Sequence, residues 1–346
     1  MLEYLETLNT WKAAGHSIAL ARVIKAKGSS PRPMGSMMFM SADGQMMGSV
    51  SGGCVEGEMV KNAAKVFEGM QSVKLGFGVA DEDAWAVGLP CGGAIHTFLQ
   101  AFDPTDPVWK SLAEHLHSNT PCALVTSLED DGCTNTLISM TTGEMVGDAV
   151  DLGDVVKATY NERSHKIVKQ GDVSYFIQIF PRKQLLLAIG AAHITADLVA
   201  LGNEFGFETV VIDPRGFFSN NTVFKSPPDK IITDYPSEVL GDFPLDNYTY
   251  CAILSHDPKI DDDAIDYLLN SDVAYIGALG SKARHGRRMQ KLVERGFTQE
   301  QVERIHGPIG VPINSVTAKE IALSIMSEII KVQNQHYRAN INKGAG

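Results

Sequence analysis

Basic residues, cysteines and long apolar runs are all scarce in this sequence, and each scarcity removes a class of function. Thirty Lys and Arg stand against 41 Asp and Glu in 346 residues, a formal net charge of −11. No broad basic face is therefore available to hold nucleic acid or an anionic membrane surface, and any anion has to be captured locally. No stretch approaches the roughly 18 apolar residues that cross a bilayer. The opening MLEYLETLNTWKAAG lacks the basic-then-apolar order of a secretory signal, so a cytoplasmic protein is expected. The five cysteines (Cys54, Cys91, Cys122, Cys133 and Cys251) show neither CxxC nor Cys/His ligand spacing. That pattern argues against structural zinc, and an odd count in such a chain is not a disulfide framework.

What the sequence does have is an ordinary globular balance, 44% hydrophobic and 21% charged, over a length that favours two domains. In the first half, residues 1 to about 15 read as a helix, and SIALARVIKAKGSS as a strand running into a loop. SMMFMSADGQMMGSV reads as a hairpin turning at Asp43-Gly44. VEGEMVKNAAKVFEG has helical spacing, and AIHTFLQAF, CALVTSL, TLISMTT and YFIQIF read as further strands, which makes this half mixed α+β. After Pro181 the pattern changes. LLLAIG, ETVVIDP, KIIT, YTYCAIL and VAYIGALG are buried strands, with helical segments such as HITADLVALGNEFG, DDDAIDYLLN and SKARHGRRMQKLVERG between and after them. Strands alternating with helices give a doubly wound, Rossmann-like parallel sheet. The expected domains are 1–182, 183–335 and a frayed tail 336–346. No internal repeat and no low-complexity linker is visible.

Two cysteines stand out by their neighbours. In SVSGGCVEGE, Gly52 and Gly53 precede Cys54 and a helix follows. In DEDAWAVGLPCGG, Cys91 lies between Pro90 and the pair Gly92 and Gly93. Glycines permit close approach of a ligand, and free N–H groups at a helix start lower a thiol's pKa, so Cys54 is expected to be partly thiolate. A thiolate is a soft ligand suited to molybdenum or to a sulfur-bearing group. The plainer explanation is a small buried residue in a glycine-rich turn. Cys122 and Cys251, inside apolar strands, read as core, and Cys133 in DDGCTN as an exposed thiol. Arg32, pinned between prolines in GSSPRPMGS, suits capture of a phosphate, or is a solvated loop arginine.

GSSPRPMG, GSVSGGCVEGE and DEDAWAVGLPCGG resemble the N-terminal domain of the XdhC/CoxI family, the accessory proteins of molybdenum hydroxylases. The resemblance resumes in AIGAAHITADLVALGNEFGFETVVIDPR, SHDPKIDDDAIDYLL, AYIGALGSKARHGRRM and HGPIGVPINSVTAKEIALSIMSEI, and leaves only about 105–175 without signature. It implies a chaperone that binds the molybdenum cofactor (molybdopterin) and protects it while a cysteine desulfurase installs its terminal sulfur. The chaperone then inserts the cofactor into an apo xanthine-dehydrogenase-type enzyme. Cys54 and Cys91 match the family's glycine-flanked cysteines and become the expected molybdenum or sulfur contacts. A homodimer is expected, and neither nucleic acid nor membrane is an expected partner. The chain is not expected to be xanthine dehydrogenase itself, since the C-x4-C-x2-C spacing of an iron–sulfur cluster is missing.

The second half carries a phosphate-type turn, Gly190-Ala191-Ala192-His193-Ile194-Thr195, with Asp213 at the end of the next strand. Ala192 stands where the pattern, and the resembled family, has a glycine, which opposes close approach of a pyrophosphate and weakens the case for NAD(P). A second anion site is expected at Gly280 and Ser281, where Lys282, Arg284, His285, Arg287 and Arg288 crowd a helix start; a solvated basic face is the alternative. His193, His256 and Asp257 fall on the same sheet edge, and His306 either lines the crevice or shapes it. Gly190, His193, Asp213, Gly280, Ser281 and Arg284 are accordingly candidates for binding the cofactor, with this crevice expected to hold the pterin phosphate. The competing functions are an NAD(P)-dependent oxidoreductase with His256 as acid or base, and a scaffold bridging desulfurase and dehydrogenase without holding cofactor.

Overall fold

A computed structural model describes residues 1–28, 30, 32–53, 55–69, 72–78, 93–130, 132–216 and 224–343, with the last helix from 336 onward as backbone alone. The chain divides into two compact units, Met1–Arg182 with Asn340–Gly346, and Lys183–Ala339.

The first unit begins with a short 3-10 turn, Leu2–Tyr4, and α1 (Leu5–Ala13). There follow β1 (Ile18–Lys27), β2 (Met37–Ser41), β3 (Met46–Gly48), α2 (Glu56–Gly69), β4 (Val73–Phe77) and β5 (Ala94–Phe102). The same succession is then repeated as α3 (Pro107–His117), β6 (Cys122–Ser127), β7 (Asn135–Ser139), β8 (Met145–Gly147), α4 (Gly153–Asn161), β9 (Lys166–Gln170) and β10 (Val173–Phe180). Each set forms a five-stranded sheet, in the orders β3-β2-β1-β5-β4 and β8-β7-β6-β10-β9. The unit is therefore a structural duplication, which corrects the expectation of no internal repeat.

Register makes the equivalence residue by residue. Leu20 faces Phe39 and Gln100 across the first sheet, as Leu124 faces Leu137 and Gln178 across the second. Gly48 and Gly147 end their hairpins at positive φ (77° and 109°), and a Cβ on either would sit 2.3 Å from the carbonyl oxygen of Met37 or Asn135. Period-two alternation then sorts the side chains. Ala19, Ala21 and Val23 pack on Met59, Ala63 and Val66 of α2, while Ala123 and Val125 pack on Val156 of α4. The opposite faces, with Leu20, Phe39, Leu124 and Leu137, close on each other, joined by Trp11 of α1 and Trp109 of α3. The order of layers is helix, sheet, sheet, helix.

The second unit comprises β11 (Leu185–Ile189), α5 (His193–Glu204), β12 (Glu208–Ile212), β13 (Lys230–Ile232), α6 (Pro236–Val239), β14 (Thr249–Ile253) and α7 (Pro258–Leu268). It continues with β15 (Tyr275–Ala278), α8 (Lys282–Glu294), α9 (Gln299–Glu303), β16 (Ile305–His306) and α10 (Ala318–Lys343). The strands are all parallel, in the order β13-β12-β11-β14-β15-β16. That is the 3-2-1-4-5-6 order of the dinucleotide-binding fold, with its switch point between β11 and β14. Leu187, Ile189, Cys251 and Ile253 point to one face under α7, and Leu186, Tyr250 and Ala252 to the other under α5 and α10. Burial on both faces explains why these strands read as unbroken apolar runs. The last helix runs past 335 because KVQNQHYRANINK holds no proline or glycine to stop it.

Candidate functional site

Strand register brings the three loops singled out in the first half to one edge of the first sheet. Lys27, the last residue of β1, pairs with Ala94, the first of β5, and Phe77 at the end of β4 pairs with Ile95. Met37 pairs with Arg22, and Gly48 with Met38. The loops 28–36, 49–55 and 78–93 therefore all leave from this edge. The roots at Gly48 and Ala94 are separated by about five residues along the strands and three strand spacings across them, roughly 20 Å. Loops of this length can span that distance. Cys54, Cys91 and Gly92 lie outside the described residues; Gly52 and Gly53 are exposed, at φ 81° and 122°, and Gly93 is buried just ahead of β5.

The 49–55 loop is organised by a residue that the sequence pattern did not single out, Glu56. Its Oε1 accepts from Ser49 Oγ (2.8 Å) and from the N–H groups of Ser51 (3.0 Å) and Gly52 (3.1 Å). Its Oε2 accepts from Ser51 Oγ, Gly53 N (2.9 Å) and Val55 N (3.2 Å). Burial alone would raise this carboxyl, but the Ser51 and Ser49 hydroxyls and the backbone donors hold it at about 2. Gly52, Gly53 and Val55 spend their N–H groups on Glu56, whose negative charge complements the start of α2; the expectation of a partly ionised Cys54 falls on a residue outside the described ones.

The 28–36 loop is held by Gly35, whose N–H donates to Val23 O at 2.7 Å. A Cβ there would lie 2.6 Å from His165 Nε2 and 3.1 Å from Gln178 Nε2, so only glycine lets the loop settle on the second copy. Gln178 Nε2 donates to Gly35 O at 2.9 Å. Arg32 is exposed on this loop, beside a cavity of about 740 Å³ whose walls include Tyr4, Ser36, Gly48, Ser49 and Gln178. Behind the wall lies Arg22, fully buried. Its guanidinium donates to Gln100 Oε1 (2.9 Å), Thr126 Oγ1 (2.7 Å) and Gln178 Oε1 (3.5 Å), and stacks near Trp109 and Phe176. Burial pulls its pKa down to about 10, still protonated at neutral pH. Cys133, expected as an exposed thiol, is partly buried against Ile24, Phe98, Leu128 and Phe176, and burial pushes its pKa up. Cys122 and Cys251 are core residues whose thiols burial also raises.

In the second unit the expected residues gather at the carboxyl ends of β11, β12, β14 and β15. Gly190 is at φ 101°, and a Cβ would meet Ser255 Cα at 2.3 Å, so this turn needs glycine to clear the neighbouring strand. Asp213 is fully engaged: Oδ2 accepts from Ala191 N (2.6 Å) and from the Arg215 guanidinium (2.7 Å), and Oδ1 from Arg215 N and Nε. Burial opposes ionisation of Asp213, but the Arg215 and Ala191 donors hold it below the usual carboxylate range. Ser281 is the N-cap of α8, accepting from Arg284 N. The basic cluster also has its anion within the protein. Buried Asp261 accepts from Arg288 (3.0 Å) and Ser255 Oγ (2.6 Å), with Arg284 at 3.9 Å. Burial pushes its pKa up, against the pull of Ser255 and the arginines. Asp213 is thus taken up by Arg215 and the Ala191 amide and Asp261 by Arg288 and Ser255, while Arg284 donates to the His256 carbonyl. His193 is exposed at the first turn of α5, and His256 sits at φ 61° next to Ser255, its carbonyl accepting from Arg284. His306 lies beside Tyr275 and Glu328 in a separate cluster.

Two family models match the chain: one described as the XdhC and CoxI family over residues 11–78, and one as the XdhC Rossmann domain over residues 186–329. A Bacillus subtilis protein named as a probable subunit of xanthine dehydrogenase is 24% identical over 321 residues, 91% of this chain and 93% of that protein. An Escherichia coli protein named molybdenum cofactor insertion chaperone PaoD is 25% identical over 333 residues, 92% of this chain and 85% of that protein. A crystal structure described as a xanthine dehydrogenase from Bacillus halodurans superposes with a TM-score of 0.67 at 26% identity, covering 96% of both chains.

Proposed function

The chain belongs to the XdhC and CoxI family, and on that premise we propose that it is a carrier that binds the molybdenum cofactor and inserts it into a xanthine-dehydrogenase-type enzyme. The observation that carries this reading is the gathering of the loops rooted at Lys27, Gly48 and Phe77 on one sheet edge. The loops bearing both glycine-flanked cysteines, and Arg32, spring from that edge. The name of the Escherichia coli relative agrees with it. Cys54 and Cys91 are assigned to the molybdenum or its terminal sulfur, with Gly52, Gly53, Gly92 and Gly93 allowing the approach. Sulfuration by a cysteine desulfurase, work in the cytoplasm and a homodimeric state belong to the same proposal.

Purified protein should retain the cofactor through gel filtration and activate the apo-enzyme, and Cys54→Ser with Cys91→Ser should abolish both. Unimpaired activation by the double variant would overturn the reading in favour of a scaffold that only bridges partners.

The 3-2-1-4-5-6 strand order favours a second reading, NAD(P) chemistry in the Rossmann unit. Ala192 at the turn, and Asp213 with both oxygens engaged, count against it. Titration with NADH decides: no heat or fluorescence change removes it.

A further inference from the structure

The carrier reading leaves open where the cargo's anionic end is held. The sequence pointed to the crevice of the second unit, yet there Asp213 holds Arg215 and the Ala191 amide, and Asp261 holds Arg288. A phosphate entering that crevice would compete with a carboxylate for Arg215, Arg288 and the Ala191 amide.

The first unit offers the opposite situation. Its cavity of about 740 Å³ lies within the range of small-molecule sites, roughly 300–1,000 Å³. Ser36 supplies a hydroxyl and Gly35 and Gly48 a wall without side chains, while the Ser49 hydroxyl on the same wall donates to Glu56. Arg32 has no carboxylate partner among the described residues, and its guanidinium is free to form a two-pronged contact. Arg22 also lacks a carboxylate partner among the described residues, although it is completely buried. Its Nε and the Nε2 of Gln100 make no hydrogen bond. A buried cation is costly unless some anion compensates it. Gln178 ties this cation to the cavity, since it accepts from Arg22 and itself lines the wall. Field from an unneutralised charge in a low-dielectric wall extends into the adjoining space. Glu3, on the same cavity, works against an anion, and is opposed by Arg32 on the wall and by Arg22 buried behind Gln178.

We propose that this cavity is the seat of a phosphate group, the anionic end of the carried cofactor, with Arg32 as its direct ligand and Arg22 as a positioning charge behind Gln178. The proposal rests on the carrier reading for its ligand, and on the cavity alone for its chemistry.

Two titrations separate the claims. Inorganic phosphate added to the isotope-labelled full chain should shift the backbone amides of Gly35, Ser36, Gly48 and Ser49. Arg32→Ala should raise the apparent Kd for phosphate about tenfold, and Arg32→Lys by less. Arg32 is an exposed loop residue, so the variants keep the fold. Shifts centred on Ala191, Ser281 and Arg284 instead, or a Kd indifferent to Arg32→Ala, would overturn the seat. In parallel, cofactor released from a molybdoenzyme should bind the wild type and be displaced by millimolar phosphate. If it binds but neither phosphate nor Arg32→Ala weakens it, the seat is wrong and the carrier stands. If phosphate shifts the cavity amides but cofactor never binds, the seat stands and the carrier reading falls.

Discussion

Replacing Glu56 with Gln tests whether one carboxylate shapes the loop that carries Cys54. The variant keeps size and one acceptor oxygen but puts an amide NH₂ where Oε1 or Oε2 now receives three donors each. A carboxyl held at about 2 rather than 4.5 corresponds to about 3 kcal/mol of preference for the ionised form. Glu56 is only partly buried, so solvent screening reduces this to roughly 1–2 kcal/mol. The loss is local, and native-state hydrogen exchange reads it directly. Protection of the Gly52, Gly53 and Val55 amides should fall roughly 5- to 30-fold, while α2 and β1 amides keep theirs. The folded carboxyl lies below its unfolded value, so its contribution is complete above about pH 4.5 and is lost as the pH falls toward 2. The difference between wild type and Glu56→Gln should close over that same interval. Equal protection in the two proteins at pH 7 would refute the reasoning.

Two further perturbations follow from the same geometry. Asp261→Asn leaves Arg288, itself buried, without its anion. This should cost about 3 kcal/mol and lower the melting temperature of the second unit by roughly 10 °C. A calorimetric scan with no shift would show that the pair is dispensable. Replacing 78–94 by the Gly-Asp turn that joins β9 to β10 should leave β4 paired with β5, because Phe77 opposite Ile95 corresponds to Gln170 opposite Val173. The shorter connection removes about 2 kcal/mol of loop-closure cost. The far-ultraviolet spectrum should therefore be kept and cofactor retention lost; retention by this variant would take Cys91 out of the site.

The second unit was legible because its strands are buried on both faces: LLLAI, TVVI and YCAI need no alternation to be recognised, and helices separate them. Its chemistry was less legible, since whether Arg284 and Arg288 are free depends on Asp261 of another helix, more than twenty residues away. The duplication left one sequence trace, Gly44-Gln45-Met46-Met47-Gly48 against Gly143-Glu144-Met145-Val146-Gly147, which ends both short hairpins. Elsewhere the identities are scattered, as at Leu20 and Leu124 or Gln100 and Gln178, and the register that aligns them is invisible without the partner strand. Glu56 had a signal too, an acid at the first position of a helix, where the positive end of the helix dipole favours a carboxylate.

The duplication also accounts for where the site lies. Arg22 and Thr126 occupy equivalent positions, as do Gln100 and Gln178, and all four meet between the sheets. A second arginine at 126 would set two buried guanidinium groups against each other, so only one copy can carry the charge. That same copy carries the longer connections, seven residues (49–55) where the other has five (148–152), and 78–93 where the other has a two-residue turn. The plain copy still contributes, since Gln178, Leu116 and Phe180 form its side of the cavity. The arrangement divides the work: one copy supplies loops, cysteines and charge, and the other supplies a rigid wall against which Gly35 fixes the Arg32 loop.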